Sequence, residues 1–355
     1  MSSRKTLFMK SLMGMAFLMA TSASCQTLPY DPTKKHHTAE GFVNNYPHEK
    51  HGFTELLKWK WESFDLEVKT KALPLAENDP EYLRKNRTDP TLTWIGHATF
   101  LLQFAGLNIL TDPQLSERAS PVSFAGPKRY TPVGLPIERL PLIDVVIISH
   151  NHYDHLDLTS VKQINDQQKN KPPLFFVPLG LKSWFAEQGI ENVVEMDWWD
   201  QQRHREWTIH SVPVQHFSAR TPWDRDKTLW TGWILQHPDF VFFFAGDTGY
   251  SKDFADIQKR LGPIDLSALP IGAYEPRWFM KSVHFNPDDA VKAHQDLRSR
   301  YSVGMHWGTF KLTDEPIEEP PRLLKKALER EGISQDKFFI MKHGQTISLE
   351  FINSK

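Results

Sequence analysis

The sequence predicts a layered α/β fold. Three observations carry the prediction: short β-branched and aromatic runs alternate with helical patterns from about residue 91 onward, polar residues gather just past the apolar runs, and no unit repeats with a fixed short period. Thr91–Ile95, Phe100–Phe104 and Leu107–Thr111 are β-like runs separated by Gly96 and Gly106. Ile143–Ser149 is rich in β-branched residues and reads as a buried strand. Leu174–Val177, Trp207–Val214, Leu229–Gln236, Phe240–Ala245, Leu266–Ile271 and Ser302–Met305 read as further strands. Helical spacing falls at Leu158–Gln168, Leu181–Gln188, Pro287–Leu297 and Pro321–Glu331, the last two opening on a proline that a first helical turn tolerates. Phe338–Met341 and Thr346–Phe351 close as a β-like pair.

Composition narrows the class. With 40% apolar and 24% charged residues, wholesale disorder is excluded, and 355 residues suit one large domain or two small ones. A net charge of −1 gives no electrostatic reason to expect a nucleic-acid partner. Twelve Trp and 23 Phe suit a large core, with some of them available to line an apolar ligand cavity or a membrane-facing surface. Cys25 is the only cysteine, so a disulfide within the chain and a Cys-based metal site are both excluded. Any metal must be held by His and carboxylates.

The N-terminal quarter divides by composition. Residues 1–24 read as a signal peptide: Arg4, Lys5 and Lys10 precede the apolar run Ser11–Ala23, which is shorter than the roughly 20 residues a spanning helix needs. Thr21-Ser22-Ala23-Ser24-Cys25 resembles a bacterial lipoprotein cleavage site, which implies a lipidated Cys25 and a membrane-anchored lipoprotein of the bacterial cell envelope facing the periplasm. Ser22 departs from the aliphatic residue usual at that position, so cleavage after Ala23 or Ser24 and a secreted product stay open. Residues 25–90 are expected to be a tether and N-terminal extension. Gln26–Lys50 is polar and without period, Phe53–Phe64 carries Lys58-Trp59-Lys60-Trp61, and Pro74–Pro90 is punctuated by proline. Alternating Lys and Trp suits a bilayer interface or a segment packed on the body under Lys stems. The main domain is placed at 91–355.

The strongest chemical signal is Ser149-His150-Asn151-His152-Tyr153-Asp154-His155-Leu156-Asp157, directly after a strand. Three His and one Asp within six positions are costly to bury unpaired, so this density at a strand end invites a cation. His216, Asp247 (in Gly246-Asp247-Thr248-Gly249) and His306 (in Met305-His306-Trp307-Gly308) each come just after an apolar run too. Sites in layered α/β folds gather at the carboxyl ends of strands, so the separated residues can meet at one edge. Singly, each is a satisfied histidine or a turn aspartate; jointly they form an ordered pattern.

That pattern, His150-x-His152-x-Asp154-His155 with the three later residues, resembles the metallo-β-lactamase superfamily. The resemblance implies a four-layer αβ/βα sandwich with two mixed sheets and helices outside. It implies two zinc ions per chain, the first on His150, His152 and His216, the second on Asp154, His155 and His306, with Asp247 bridging. From about Thr91 to past Pro320 the chain resembles, more narrowly, the N-acylphosphatidylethanolamine-hydrolysing phospholipase D family. The runs that carry this are Thr93-Trp94-Ile95-Gly96-His97-Ala98-Thr99, Leu110-Thr111-Asp112-Pro113, Gly126-Pro127-Lys128-Arg129-Tyr130, Ile271 through Met280, His284-Phe285-Asn286-Pro287 and Met305 through Phe310.

This narrower likeness implies a phospholipid substrate, cleaved to N-acylethanolamine and phosphatidic acid by a hydroxide shared between the metals. Tyr153 and His284 would bind the phosphate and, with Asp247, take part in catalysis. It also implies a homodimer. Trp223, Trp230, Trp278, Phe279 and Phe310 are candidates for an apolar groove, and membrane residence would come from the lipid anchor or from apolar surface. Ser123 and Phe124 stand where the family carries Gln-Tyr, so the preferred lipid need not match the family's. A lactonase or soluble phosphodiesterase on the same metals is the competing activity. A non-catalytic metal-binding envelope lipoprotein is the competing class, and the intact set of seven donors argues against it.

Overall fold

Residues 30–66 and 71–353 are described by a computed structural model of the chain. The expected signal peptide and Cys25 lie outside the described residues. A short hairpin, β1 (His37–Thr38) and β2 (Gly41–Phe42), comes first. Strands β3 (Thr91–Gly96), β4 (Thr99–Phe104), β5 (Leu107–Thr111), β6 (Val145–Ile147), β7 (Leu174–Pro178) and β8 (Val193–Met196) build one sheet. Strands β9 (Gln201–His204), β10 (Trp207–Val212), β11 (Gly232–His237), β12 (Phe240–Phe244), β13 (Leu266–Pro270), β14 (Tyr301–Met305) and β15 (Phe338–Phe339) build the second. Strand β16 (Thr346–Ser348) returns to the first, giving the orders β16-β3-β4-β5-β6-β7-β8 and β15-β14-β13-β12-β11-β10-β9.

Each sheet is half antiparallel meander and half parallel crossover: β5 through β8 are parallel in one, β12 through β15 in the other. Side-chain alternation sorts the layers. Val145 and Ile147 face the core shared with the second sheet, while Val146 and Ile148 face a separate cluster with Val161, Ile164 and Phe185 of the helices Leu158–Gln167 and Lys182–Glu187. On the far side, Phe254 and Ile257 of helix Asp253–Leu261, Ala290 and Val291 of Pro287–Asp296, and Leu324 and Leu328 of Glu319–Glu331 pack into the core of the second sheet. The result is the expected four-layer mixed α/β sandwich. Trp233, fully buried, donates its indole N–H to the Ile148 carbonyl at 2.9 Å and so ties the second sheet to the strand that feeds the His150 loop.

Four local expectations change. Leu229–Thr231 precede the strand, because the N–H groups of Leu229 and Thr231 bond to Leu179 and Ser149, just past β7 and β6 of the other sheet. The two C-terminal runs do not pair with each other: β15 joins β14, and β16 joins β3. Helix Asp253–Leu261 and strands β8 and β9, which the sequence reading leaves out, are present, the helix with Phe254, Ile257 and Leu261 at helical spacing. Finally, the part of the expected tether at 30–50 is packed on the body. The buried Asp197 carboxylate accepts from His36 Nε2 (2.7 Å), His37 Nε2 (2.9 Å) and Lys34 Nζ (2.6 Å), and Phe42 is 2% exposed in the shared core. Gly41 sits at φ +149°, where a Cβ would fall 2.1 Å from the Asp226 carbonyl. Polar anchors hold this segment, so hydropathy did not reveal it.

Two core histidines set an acid limit on stability. Burial pushes His294 down to about 4, and burial with the nearby Arg129 charge pushes His343 down to about 3. Both folded-state values lie below the unfolded value, so between about pH 4 and 6.5 the unfolded chain binds more protons. Their contribution is complete above pH 6.5 and is lost as pH falls, by up to about 1.4 kcal/mol per pH unit for each histidine. Urea midpoints at pH 7 and pH 5 are expected to differ in that direction, and His294→Asn to narrow the gap; equal midpoints for wild type would contradict it.

Candidate metal centre

The carboxyl ends of β5, β6, β10, β12 and β14 converge. Antiparallel pairing of β10 with β11 and of β11 with β12 makes β10 and β12 run the same way, so the loops leaving both strands arrive at one edge. After β6 the chain turns tightly: the N–H groups of His155 and Leu156 both bond to the His152 carbonyl, and Asp157 caps the next helix through Ser160 N–H. Arg220 clamps both ends of this loop from behind, donating from one nitrogen to the carbonyls of Asn151 (2.7 Å) and Leu156 (2.8 Å). Gly246 stands at φ +61°, and a Cβ there would lie 2.5 Å from Ser149 Cβ, so glycine lets the Asp247 loop close on the His150 loop.

Two donor groups form. In the first, His150 Nε2 lies 2.8 Å and His216 Nε2 3.2 Å from His152 Nδ1. Their outer nitrogens settle the tautomers. Ser149 Oγ gives its proton to Asp112 Oδ2 (2.5 Å) and therefore accepts from His150 Nδ1 (2.9 Å); His216 Nδ1 donates to the Val283 carbonyl (2.8 Å). Both Nε2 atoms thus present lone pairs inward. In the second group, His155 Nδ1 donates to Asp112 Oδ2 (2.6 Å), which turns its Nε2 toward Asp247 Oδ2 (3.1 Å) and Asp154 Oδ2 (3.5 Å). His306 Nε2 lies 3.1 Å from Asp247 Oδ1 and 3.3 Å from Asp154 Oδ2, and His97 Nε2 lies 3.0 Å from Asp154 Oδ2. Asp247 Oδ2 also reaches toward the first group, 3.9 Å from His216 Nε2 and 4.0 Å from His150 Nε2.

The electrostatics match a cation site. Burial drives His150 and His216 well below the ordinary imidazole value and His152 down to about 4, leaving neutral ligands at pH 7. Burial works to raise the Asp154 and Asp247 carboxyls, but the neighbouring imidazoles, His155 foremost, hold both well below the carboxylate range. Burial likewise opposes charge on His155 and His306, yet the Asp247 and Asp154 carboxylates carry His155 well above its usual value and His306 up to about 9. Asp247 Oδ1 and His155 Nε2 are buried without a hydrogen-bond partner, as donors aimed at a cation are. Backbone strain gathers here as well: His97 (φ 54°), Asp112 (φ 30°) and His306 (φ 61°) all hold positive φ.

All seven residues expected from the sequence meet at this edge. His284 joins them, its Nδ1 3.9 Å from Asp247 Oδ2, with burial pushing its pKa down to about 4. His152, Asp154 and His284 are the partly exposed members, so they face whatever enters. Tyr153 is engaged by Arg220: its hydroxyl donates to the Arg220 carbonyl (3.0 Å), and its ring carries the Arg220 guanidinium. Of the groove candidates, Trp230 is a core residue, 1% exposed, whose indole donates to Val214 and Asn44; Phe310 packs edge-on to His97; and Trp223 and Trp278 are exposed. Asp112 and His97, which the sequence marks only as parts of family-like runs, hold the ligands in place. Asp112 comes just past an apolar strand as the ligands do, and that rule would have found it.

Comparisons with known proteins show the family. A family model described as a beta-lactamase superfamily domain matches residues 107–307. N-acyl-phosphatidylethanolamine-hydrolyzing phospholipase D 1 of Caenorhabditis elegans is 44% identical over 265 residues, 71% of this chain and 74% of that protein. The mitochondrial N-acyl-phosphatidylethanolamine-hydrolyzing phospholipase D of Saccharomyces cerevisiae is 37% identical, over 72% of this chain and 55% of that one. Among solved structures, the metallo hydrolase Igni18 from Ignicoccus hospitalis superposes with a TM-score of 0.55 at 22% identity, over 74% of this chain and all of the other. An isothiocyanate hydrolase from Delia radicum gut bacteria does so with a TM-score of 0.57 at 24% identity, over 73% and 98%. These two share the fold.

Proposed function

Because the chain belongs to the metallo-β-lactamase superfamily, within its N-acylphosphatidylethanolamine-hydrolysing phospholipase D-like branch of metal-dependent hydrolases, we propose that it is a zinc-dependent phospholipase D acting on N-acylphosphatidylethanolamine. The observation that carries the reading is Asp247, whose oxygens both lie 3.1 Å from the second donor group, at His306 and His155, while one of them also faces His216 and His150 of the first near 4 Å. In this reading His150, His152 and His216 hold one zinc, Asp154, His155 and His306 the other, and Asp247 spans them. Such a pair, when bound, lowers the pKa of a shared water toward about 7 and offsets charge on the phosphate oxygens.

The chain's own residues supply the rest. Asp112 fixes the aim of His155 directly and of His150 through Ser149. His284, uncharged at neutral pH, stands at the open side as a hydrogen-bond partner for a phosphate oxygen or for the departing ethanolamine oxygen. Tyr153 positions the phosphate once its hydroxyl exchanges the Arg220 carbonyl for substrate. Water adds to phosphorus, the bond from phosphorus to the ethanolamine oxygen breaks, and that oxygen takes up a proton. N-acylethanolamine and phosphatidic acid are the products.

A lipid substrate also needs access. Helix Phe53–Glu62 exposes Phe53 (69%), Leu57 (38%) and Trp61 (52%), spaced four residues apart, with Lys58 and Lys60 beside them. An apolar stripe edged by lysines suits a bilayer interface. Among the described residues no helix is long and apolar enough to cross a membrane. Acylation of Cys25, an envelope location facing the periplasm and a homodimer belong to the same proposal.

The test is mass spectrometry of products from vesicles of a defined N-acyl phospholipid, alongside metal analysis of the purified chain. Two zinc ions per chain and release of N-acylethanolamine are expected. Release of free fatty acid, turnover confined to lactones or soluble diesters, or a metal-free active protein would each sink the reading.

A further inference from the structure

His216 stands four residues past the end of β10, where no strand ladder holds its backbone. Apart from Nε2, it has three polar groups, and all are engaged. Nδ1 donates to the Val283 carbonyl at 2.8 Å; the backbone N–H donates to Asn44 Oδ1 at 3.1 Å; and the carbonyl accepts from Asn44 Nδ2 at 2.8 Å. Asn44 lies 172 residues upstream, yet its side-chain amide pairs with the His216 backbone as a neighbouring strand would.

The orientation of that amide is determined. Its oxygen also accepts from Trp230 Nε1 at 2.9 Å, and an indole nitrogen can only donate, so the oxygen must be on that side. The nitrogen then faces the His216 carbonyl and His48 Nε2, the latter at 3.2 Å. The segment bearing Asn44 is itself strapped down: Lys34, His36 and His37 converge on Asp197, Phe42 N–H bonds to the Asp226 carbonyl at 2.8 Å, and Gly41 allows the close approach there. Asn44 lies well outside the 107–307 span of the family model.

We propose that Asn44 is a positioning residue of the metal centre. Residues 30–51 close over the body so that one side-chain amide fixes the His216 backbone and, through it, the aim of His216 Nε2 at the nitrogens of His150 and His152. The proposal rests on His216 being a metal ligand. Without Asn44, no hydrogen bond fixes the His216 backbone itself; the Val283 carbonyl still holds the ring, and the bridge from Gln215 to Gly249 holds the preceding residue. Trp230 keeps its second acceptor, the Val214 carbonyl at 2.9 Å, so loss of the amide leaves the indole satisfied and the core intact.

The experiment uses the full chain loaded with zinc or cobalt(II), as wild type, His216→Ala, Asn44→Ala and Asn44→Asp. Chelator competition resolves the two metals, and the visible absorption of the cobalt(II) form reports ligand geometry. Asn44→Ala is expected to weaken the metal that His216→Ala loses by about 10- to 100-fold, to leave the other unchanged, and to alter the cobalt(II) spectrum. A role confined to folding would lower thermal stability without separating the two metals. Asn44→Asp keeps the acceptor for His216 N–H and Trp230 but loses the donor to the His216 carbonyl. It is expected to show the same selective loss, and it decides the matter if the alanine variant does not fold. If folded Asn44 variants hold both metals as tightly as wild type, the proposal is overturned. If His216→Ala itself holds both, the metal assignment fails, which is a separate outcome.

Discussion

Asp247→Asn is expected to lower hydrolysis by at least about 100-fold and to cost the chain metal, measured by elemental analysis and product release on the same preparation. The reason is geometric and electrostatic together. One Asp247 oxygen lies 3.1 Å from His306 Nε2, and the other lies 3.1 Å from His155 Nε2 while facing His216 and His150 near 4 Å. An amide of the same shape has one acceptor and one donor, so whichever way it turns, an N–H2 group faces a ring nitrogen that should meet a cation. It also removes one of the two carboxylate charges that raise His155 and His306. A variant with full metal content and ordinary turnover would remove Asp247 from the mechanism.

Asp112→Ala is expected to damage both stability and metal binding. Asp112 is fully buried and accepts from Ser149 N–H (2.7 Å), Ser149 Oγ (2.5 Å) and His155 Nδ1 (2.6 Å). Burial works to raise its carboxyl pKa, and the His155 and Ser149 donors work against that. Truncation strands three buried donors, each costing about 1–3 kcal/mol and not additively, so a loss of about 3 kcal/mol or more is expected in urea unfolding of the metal-free chain. Because the same carboxylate aims His155 and, through Ser149, His150, both metals should weaken by about 10- to 100-fold in chelator competition. Equal weakening of both metals separates this residue from Asn44, whose effect is confined to one. Wild-type unfolding and wild-type metal affinity in Asp112→Ala would refute the account.

These two residues also show how far a sequence can be read. Asp247, like His150, His216 and His306, is legible because strands leave a periodic apolar signature and a polar residue just past one stands out. Asp112 obeys the same rule but lies before a proline and reads as a turn. His97 lies in the short connection between β3 and β4, and its role depends on His306 and Asp154, which are far away in the chain. Asn44 has no local signal at all. It sits in a polar stretch where His, Lys and Asn look solvated, and the groups that bury them, Asp197 and the His216 backbone, come from more than 150 residues downstream. Trp230 misleads in the other direction: an aromatic near a site suggests a ligand wall, but its N–H is committed inside the core. Periodicity reports which face of an element is dry; it does not report which polar side chain finds a distant partner.

The division of β15 and β16 between sheets has a consequence for how the chain is made. Residues 338–348 leave the edge of one sheet and reach the edge of the other, where Trp94 and the 344–345 backbone exchange N–H to carbonyl bonds at 2.7 and 3.0 Å. Until that stretch has emerged from the ribosome, β3 and β14 each present an open row of peptide groups, a template for the wrong neighbour. Synthesis that stalls before residue 338 therefore yields a body with both flanks adhesive, and such intermediates should need a chaperone rather than finish alone.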